Sequence, residues 1–135
     1  MTAEPRGLSR SEMEAIQAGV IRLDGGLAGL RDDNTLESAL ARAQQKWAHA
    51  EPDLSDLAAA YGFGLAKNHA FLDGNKRVAL MAVYTFLGLN GQRLAATEAE
   101  AVTVMLGIAS GELDEAALAV WIRRSMTPRA APAAR

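Results

Sequence analysis

Cysteine is absent from the 135-residue chain. Its absence excludes disulfide bonds, thiolate zinc sites, iron–sulfur clusters and a cysteine nucleophile. A chain that needs no disulfide suits the reducing cytoplasm, and we expect a cytoplasmic protein.

An excess of charge of one sign is also absent. The 14 lysines and arginines are balanced by 16 aspartates and glutamates, which gives a formal net charge of -2 and a pI of about 5.7. Domains that bind nucleic acid usually carry a strong basic excess, so we expect no direct nucleic-acid partner. A local basic pocket is still compatible with this balance.

Long hydrophobic runs are missing as well. The longest one, residues 78–89, has about twelve residues, whereas a membrane-spanning helix needs about twenty. Residues 1–10 are polar and lack the apolar segment of a secretory signal. We therefore expect no membrane partner and interpret residues 78–89 as part of a buried core helix.

Length and composition predict a single domain. Hydrophobic residues make up 50% of the chain and charged residues 22%, which is enough apolar material for one core at this length. We assign residues 1–126 to this domain. Residues 127–135 contain Pro128 and Pro132 and are predicted to form a flexible C-terminal tail.

Hydrophobic spacing and capping signals predict an all-α protein. Ser9 with Glu12 is a capping-box pattern that begins a first helix, and Gly25-Gly26 ends it. Five further helices are predicted to begin near Asn34, near Leu57, near Asn75, after Thr97 and after Asp114. Residues 92–94 form at most a small ribbon. We expect a compact bundle of about six helices around the fourth helix, which is apolar almost all round.

The segment with the most chemistry is residues 69–77, His-Ala-Phe-Leu-Asp-Gly-Asn-Lys-Arg, where the central helix begins. The first turn of a helix offers unpaired backbone N–H groups and the positive end of the helix dipole, which together favour an anion. The residues at this turn are Gly74, Asn75, Lys76 and Arg77. Two cations placed against the dipole are unusual, and they indicate a phosphate site.

Two further residues of this segment carry functional groups. Asp73 precedes the turn, where a carboxylate can hold a magnesium ion that also contacts phosphate oxygens. His69 is the candidate in the segment for a base that works near neutral pH. Structural interpretations remain open, since a histidine at a helix end is often a cap and an aspartate before glycine is often a turn residue. Phe71 is predicted to point inward and anchor the loop.

Other signals are weaker. Arg31-Asp32 could orient a flap over a nucleotide or cap a helix, and Glu37 with Arg42 could form an ion pair on the second helix. Trp47 and Trp121 are interpreted as core or rim aromatics rather than platforms for a nucleobase.

The segment His69-Ala-Phe71-Leu-Asp73-Gly74-Asn75-Lys-Arg77 resembles the signature of the Fic/Doc superfamily, and specifically its death-on-curing (Doc) toxin branch. Every specified position of the pattern His-x-Phe-x-Asp/Asn-Gly/Ala-Asn-Lys-Arg is met. The resemblance extends upstream through residues 25–32 and 36–42 and downstream through residues 86–91 and 111–121. It implies a compact Fic/Doc-type helical bundle with the motif loop at the N-terminus of the central helix.

The resemblance also implies roles for the motif residues. His69 would deprotonate a target hydroxyl, and Asp73 would bind Mg²⁺. Gly74, Asn75, Lys76 and Arg77 would form the anion hole for the phosphates of ATP, with Lys76 and Arg77 acting on the reacting phosphate. In the branch that transfers AMP a glycine takes the position of Lys76. In Doc-like proteins the lysine is associated with an inverted ATP that presents its γ-phosphate.

The leading hypothesis is therefore a Doc-like toxin of a type II toxin-antitoxin system that phosphorylates a threonine of elongation factor Tu and blocks translation. A Fic-type adenylyltransferase is one alternative, and a non-catalytic nucleotide- or partner-binding module is another. Self-inhibited Fic proteins carry a glutamate followed by glycine or asparagine, and this chain has no such pair. Inhibition by a cognate Phd-like antitoxin, whose C-terminal helix binds in a groove of the toxin, is what the resemblance implies.

Overall fold

A computed structural model of the chain describes residues 4–49 and 53–129. These residues form six α-helices and two short strands. The helices are α1 (Arg10–Asp24), α2 (Asp33–His49), α3 (Leu54–Asn68), α4 (Asn75–Leu89), α5 (Glu98–Ser110) and α6 (Glu115–Ser125), and the strands are β1 (Gln92–Leu94) and β2 (Met126–Pro128). The predicted all-α bundle is confirmed.

Side-chain caps define where most of the helices begin. An oxygen of the capping side chain accepts a backbone N–H from the first turn of α1, α3, α5 and α6, and the capping residues are Ser9, Asp53, Thr97 and Asp114 respectively. Each cap satisfies an N–H group that has no partner within its helix. The boundaries predicted from these signals for α1, α5 and α6 are confirmed.

Two helices begin earlier than predicted. The N–H of Thr35 donates to Oδ1 of Asp32 at 3.2 Å, so α2 begins at Asp33 and Asp32 is its cap. The third helix begins at Leu54 rather than near Leu57, because Asp53 and the third helical residue form a reciprocal capping box.

The centre of the fold is shared by α3 and α4. As predicted, α4 is buried along most of its length, with Val78, Phe86 and Leu87 at most 1% exposed. α3 packs against α2, α4, α5 and α6, and α4 packs against α1, α3, α5 and β1. Small residues make this possible, since a Cβ added to Gly62 would lie 2.8 Å from Cγ2 of Val83. The helices therefore approach each other more closely than larger side chains would permit.

The predicted ribbon is present and pairs with the end of the chain. β1 and β2 are antiparallel, with Arg93 opposite Thr127, and the N–H of Arg129 donates to the carbonyl of Gly91 at 2.9 Å. The prediction of a flexible tail from residue 127 is therefore wrong for residues 127–129, which the ribbon holds by backbone hydrogen bonds. Residues 130–135 lie outside the described part, and the single-domain assignment stays a prediction.

The ion pair predicted within α2 is wrong. Glu37 accepts a hydrogen bond from Arg10 of α1, whereas Arg42 and Lys46 both contact Glu115 of α6. Residues five apart on a helix do not face each other, so each side chain finds its partner on another helix. Burial opposes the ionisation of Glu115, but its hydrogen bonds to these two cations outweigh burial and lower its pKa.

The tryptophans have the predicted structural role. Trp47 and Trp121 are partly buried and pack against the hydrophobic core.

Within the two described ranges, no helix is both long enough and apolar enough to cross a membrane.

The close approach at Gly62 gives a stability prediction. Gly62→Ala would force a methyl group against the stiff side chain of Val83, and such overpacking costs about 1–3 kcal/mol, more than the helix propensity that alanine adds. We expect a net loss of about 1–2 kcal/mol in the free energy of unfolding, measured by urea denaturation.

Gly19→Ala is the matched control. Gly19 lies in α1, and the nearest atom to an added Cβ is the end of the flexible Arg22 side chain at 3.8 Å. Alanine here should raise the free energy of unfolding by up to about 1 kcal/mol. Equal effects of the two substitutions would contradict the close packing of α3 on α4.

Candidate functional site

The motif loop, residues 69–74, joins the C-terminus of α3 to the N-terminus of α4. His69 begins the loop in the left-handed conformation, with φ 52° and ψ 58°, and its side chain is exposed. Among the described residues it is the one non-glycine residue with a positive φ. Backbone strain of this kind is concentrated at functional sites, where surrounding contacts maintain it.

Arg31 supplies some of those contacts. Its Nε donates to the carbonyl oxygen of His69 at 2.8 Å, and its Nη2 donates to the carbonyl oxygen of Asn68 at 3.1 Å. These carbonyls are at the C-terminus of α3, where the helix dipole favours a cation. Of the two roles considered for Arg31-Asp32, the structure therefore shows helix capping, by Arg31 at the end of α3 and by Asp32 at the start of α2.

The α1–α2 loop, residues 25–32, lies beside the motif loop and pairs with it through backbone groups. The N–H groups of Arg31 and Asp32 both donate to the carbonyl of Ala70, at 2.8 and 3.1 Å, and the N–H of Leu72 donates to the carbonyl of Gly29 at 3.0 Å. Between these bonds, Phe71 is 1% exposed, which confirms its prediction as the anchor of the loop.

Asn75 closes the loop from the other end. Its Oδ1 accepts the N–H of Phe71 at 3.0 Å, and its Nδ2 donates to the carbonyl of Phe71 at 2.9 Å. The oxygen of this buried amide and one of its N–H groups are thus engaged by the loop, and the backbone N–H of Asn75 lies in the first turn of α4. The place of Asn75 in the phosphate site stays a prediction.

The N-terminus of α4 differs from the capped helix starts described above. Its N-cap is Gly74 in the left-handed conformation, with φ 79°, and no side chain in the described part of the protein caps it. Residue 74 lacks a Cβ, and an added one would lie 3.1 Å from the side chain of Val20. The first-turn N–H groups are therefore available to an external anion.

The two cations of this turn have different surroundings. Lys76 is exposed, whereas Arg77 donates to Glu98 at 2.6 Å and lies 3.7 Å from a carboxylate oxygen of Asp24. The hydrogen bond to Glu98 is the main reason why the pKa of Arg77 is raised. Arg77 is thus already ion-paired, and an anion at this turn must share it with Glu98. Neither carboxylate was predicted from the sequence, because no local spacing relates Asp24 or Glu98 to Arg77.

A cavity of about 260 Å³ opens beside the turn. Its polar side is formed by the first turn of α4, including Lys76 and Arg77, and its apolar side by residues of α4 and α5: Leu80, Val102, Met105 and Leu106. A polar end for phosphate and an apolar wall for a flat ring are the arrangement of a small-molecule site.

Asp73 directly precedes Gly74, the first of the residues that line this cavity. Its Oδ2 accepts the N–H of Leu27 at 2.7 Å, and Gly26, with φ 111°, approaches so closely that an added Cβ would lie 3.1 Å from the Cβ of Asp73. No cluster of three or more histidine or acidic side chains suited to a metal occurs within residues 4–49 and 53–129. A divalent cation at Asp73 would therefore complete its coordination with water and phosphate oxygens, as Mg²⁺ commonly does.

Gln17 is a further residue of the site that had not been predicted. Gln17 of α1 is 2% exposed and contacts both loops through its side-chain amide. The signal that could have found it is its position four residues after Met13 and three before Val20, on the apolar face of the helix.

Known proteins are similar to the part of the chain that contains the motif loop. A family model described as the Fic/DOC family matches residues 7–87. The chain is 33% identical over 120 residues to a protein named "Protein kinase doc" from Escherichia phage P1, which covers 88% of this chain and 94% of that protein. It is 46% identical over 85 residues to "Toxin Doc" from Mycolicibacterium smegmatis, covering 62% of this chain and 65% of that one.

The family match includes the whole motif loop and the first turn of α4, so the left-handed His69 and the uncapped helix start lie within the shared segment. With most of the chain aligned to the phage protein, we conclude that this protein belongs to the Fic/DOC family.

Proposed function

We propose that this protein is a Doc-type toxin that transfers the γ-phosphate of ATP to a threonine hydroxyl of elongation factor Tu. The observation that supports this most is the uncapped N-terminus of α4, whose first turn carries Lys76 and lines the cavity. The names of the two relatives, a protein kinase and a toxin, agree with it. Such a target places the reaction in the cytoplasm.

The phosphates would be bound by the first turn of α4. The free N–H groups of Gly74, Asn75 and Lys76 and the ammonium group of Lys76 offer donors and positive charge on one side of the cavity. Lys76 takes the place at which AMP-transferring relatives carry a glycine, and it favours the orientation of ATP in which the γ-phosphate is presented. Asp73 would hold Mg²⁺, which supplies charge neutralisation for the phosphate oxygens.

His69 would act as the general base. Its imidazole accepts the proton of the threonine hydroxyl, the hydroxyl oxygen bonds to the γ-phosphorus, and the bond from that phosphorus to the β–γ bridging oxygen breaks to release ADP. The exposed position of His69 suits a base that must reach a protein substrate. The capping of α3 by Arg31 holds the base at the start of the motif loop.

A cognate Phd-like antitoxin completes the proposal. The chain carries no glutamate followed by glycine or asparagine, the pair that self-inhibited relatives use, so inhibition is assigned to a separate protein.

The group transferred is tested with two labels of ATP. Incubation of the full chain with elongation factor Tu, Mg²⁺ and ATP labelled at the γ-phosphate should mark elongation factor Tu, whereas label at the α-phosphate should not. Transfer of the α-label would instead establish an adenylyltransferase. Absence of either label, with a folded target present, would favour a non-catalytic binding module.

His69→Ala should lower the rate of γ-label transfer by about 10²- to 10⁴-fold, because a general base typically contributes that much. The exposed side chain makes little contact with the core, so circular dichroism and the melting temperature should be unchanged. His49→Ala, at the only other histidine of the chain, is the control and should keep full transfer. Undiminished transfer by His69→Ala would remove the base assignment.

Glu98→Gln should strengthen the binding of ATP. Glu98 competes with phosphate for Arg77, and an exposed ion pair of this kind is worth about 0.2–1 kcal/mol, so the dissociation constant should fall by up to about fivefold. Isothermal titration calorimetry at low ionic strength measures the change.

Glu100→Gln is the matched control for this charge change. Glu100 is exposed in the same first turn of α5 and forms no described contact with Arg77. An equal gain in both variants would show that only the net charge matters and that Arg77 is not shared.

A further inference from the structure

Gln17 is a buried amide with all of its polar atoms in use. Its Oε1 accepts the N–H of Gly29 at 3.1 Å, and its Nε2 donates to the carbonyls of Leu27 and Asp73, both at 3.2 Å. The side chain is 2% exposed, so water cannot replace these bonds. Two of the bonds go to the α1–α2 loop and one goes to the motif loop.

One of these bonds goes to Leu27, the residue that orients the side chain of Asp73. The N–H of Leu27 donates to Oδ2 of Asp73 at 2.7 Å, and the carbonyl of the same residue accepts from Gln17. Gln17 also bonds to the main chain of Asp73 itself. The amide therefore bonds to the main chain of Asp73 and to Leu27, the residue whose own N–H fixes one oxygen of the carboxylate.

Gln17 suits this position because a primary amide has an acceptor oxygen and two N–H donors on one rigid plane. The oxygen accepts from one N–H group and the two N–H groups donate to two carbonyls, so every donor and acceptor of the amide has a partner. A leucine of similar size would leave all three backbone groups unpaired. A glutamate carboxylate could still accept from Gly29 but could not donate to either carbonyl.

We infer that Gln17 is a positioning residue that orients the Asp73 carboxylate and thereby sets the affinity of the site for a divalent cation bound with a nucleotide. The inference rests on the proposed function only where it takes Asp73 as the ligand for the cation. Residues that hold a metal ligand through hydrogen bonds typically change metal affinity 10- to 100-fold when they are replaced.

The test measures binding rather than phosphate transfer. The full chain is titrated with a fluorescent ATP analogue at increasing Mg²⁺, and the Mg²⁺ concentration that gives half of the increase in affinity is recorded. Gln17→Leu should raise that concentration about 10- to 100-fold and leave the affinity without Mg²⁺ unchanged. Asp73→Asn, which removes the ligand itself, should lose the effect of Mg²⁺ and serves as the limiting case.

Ser55→Ala is the control for a general loss of stability. Ser55 is also a fully buried polar residue, and its hydroxyl donates to Asp53 at 2.6 Å. It lies at the opposite end of α3 from the motif loop, about 20 Å away along the helix. This variant should lower the melting temperature without changing the Mg²⁺ dependence. If Gln17→Leu fails to fold, Gln17→Glu takes its place and should show the same shift.

The outcomes separate this inference from the proposed function. An unchanged Mg²⁺ midpoint in folded Gln17→Leu or Gln17→Glu would overturn it, and so would an equal shift in Ser55→Ala. Absence of any Mg²⁺ effect in the unaltered protein would also overturn it, because Asp73 would then bind no cation. If the unaltered protein transfers no phosphate to elongation factor Tu but Gln17→Leu still shifts the Mg²⁺ midpoint, only the proposed kinase activity is contradicted. The role of Gln17 is then supported.

Discussion

The geometry of the site depends on the packing of α3 against α4. Both helices are largely buried, and Gly62 lets them approach so closely that a single methyl group would clash with Val83. Because interiors are close-packed, neither helix can shift without disturbing the core. The motif loop joins these two helices, so the packing holds both of its ends.

Some residues of the motif anchor the loop, and others carry exposed functional groups. Phe71 and Asn75 are buried and hold the loop by apolar contact and by backbone hydrogen bonds. His69 precedes Phe71 and Lys76 follows Asn75, and both side chains are exposed, so their functional groups can contact a ligand or a protein. A rigid scaffold that carries exposed functional residues on a short loop is the usual arrangement of a catalytic site.

The cations at the start of α4 oppose the helix dipole. Cations are unfavourable at a helix N-terminus, yet the first turn carries Lys76 and Arg77. Glu98 and Asp24 partly neutralise Arg77, and these carboxylates come from the start of α5 and the end of α1. We expect a bound phosphate to take over part of that neutralisation, which makes the ion pair a competitor of the ligand as well as a stabilising contact.

Local patterns in the sequence were sufficient for the elements and the motif. Ser9 with Glu12, Thr97 and Asp114 mark helix starts because a cap involves residues only three apart, and the run from Asn75 to Leu89 identifies a buried helix by its composition. The nine residues from His69 were likewise enough to predict the family, and the phosphate site that they indicate stays a prediction. Only the tertiary structure decided that the side chain of Asn75 serves the loop, that Arg77 is paired with Glu98, and that Gln17 contacts Asp73. The last two contacts join residues 21 and 56 positions apart, and no periodicity within one helix encodes which side chains meet when different helices pack.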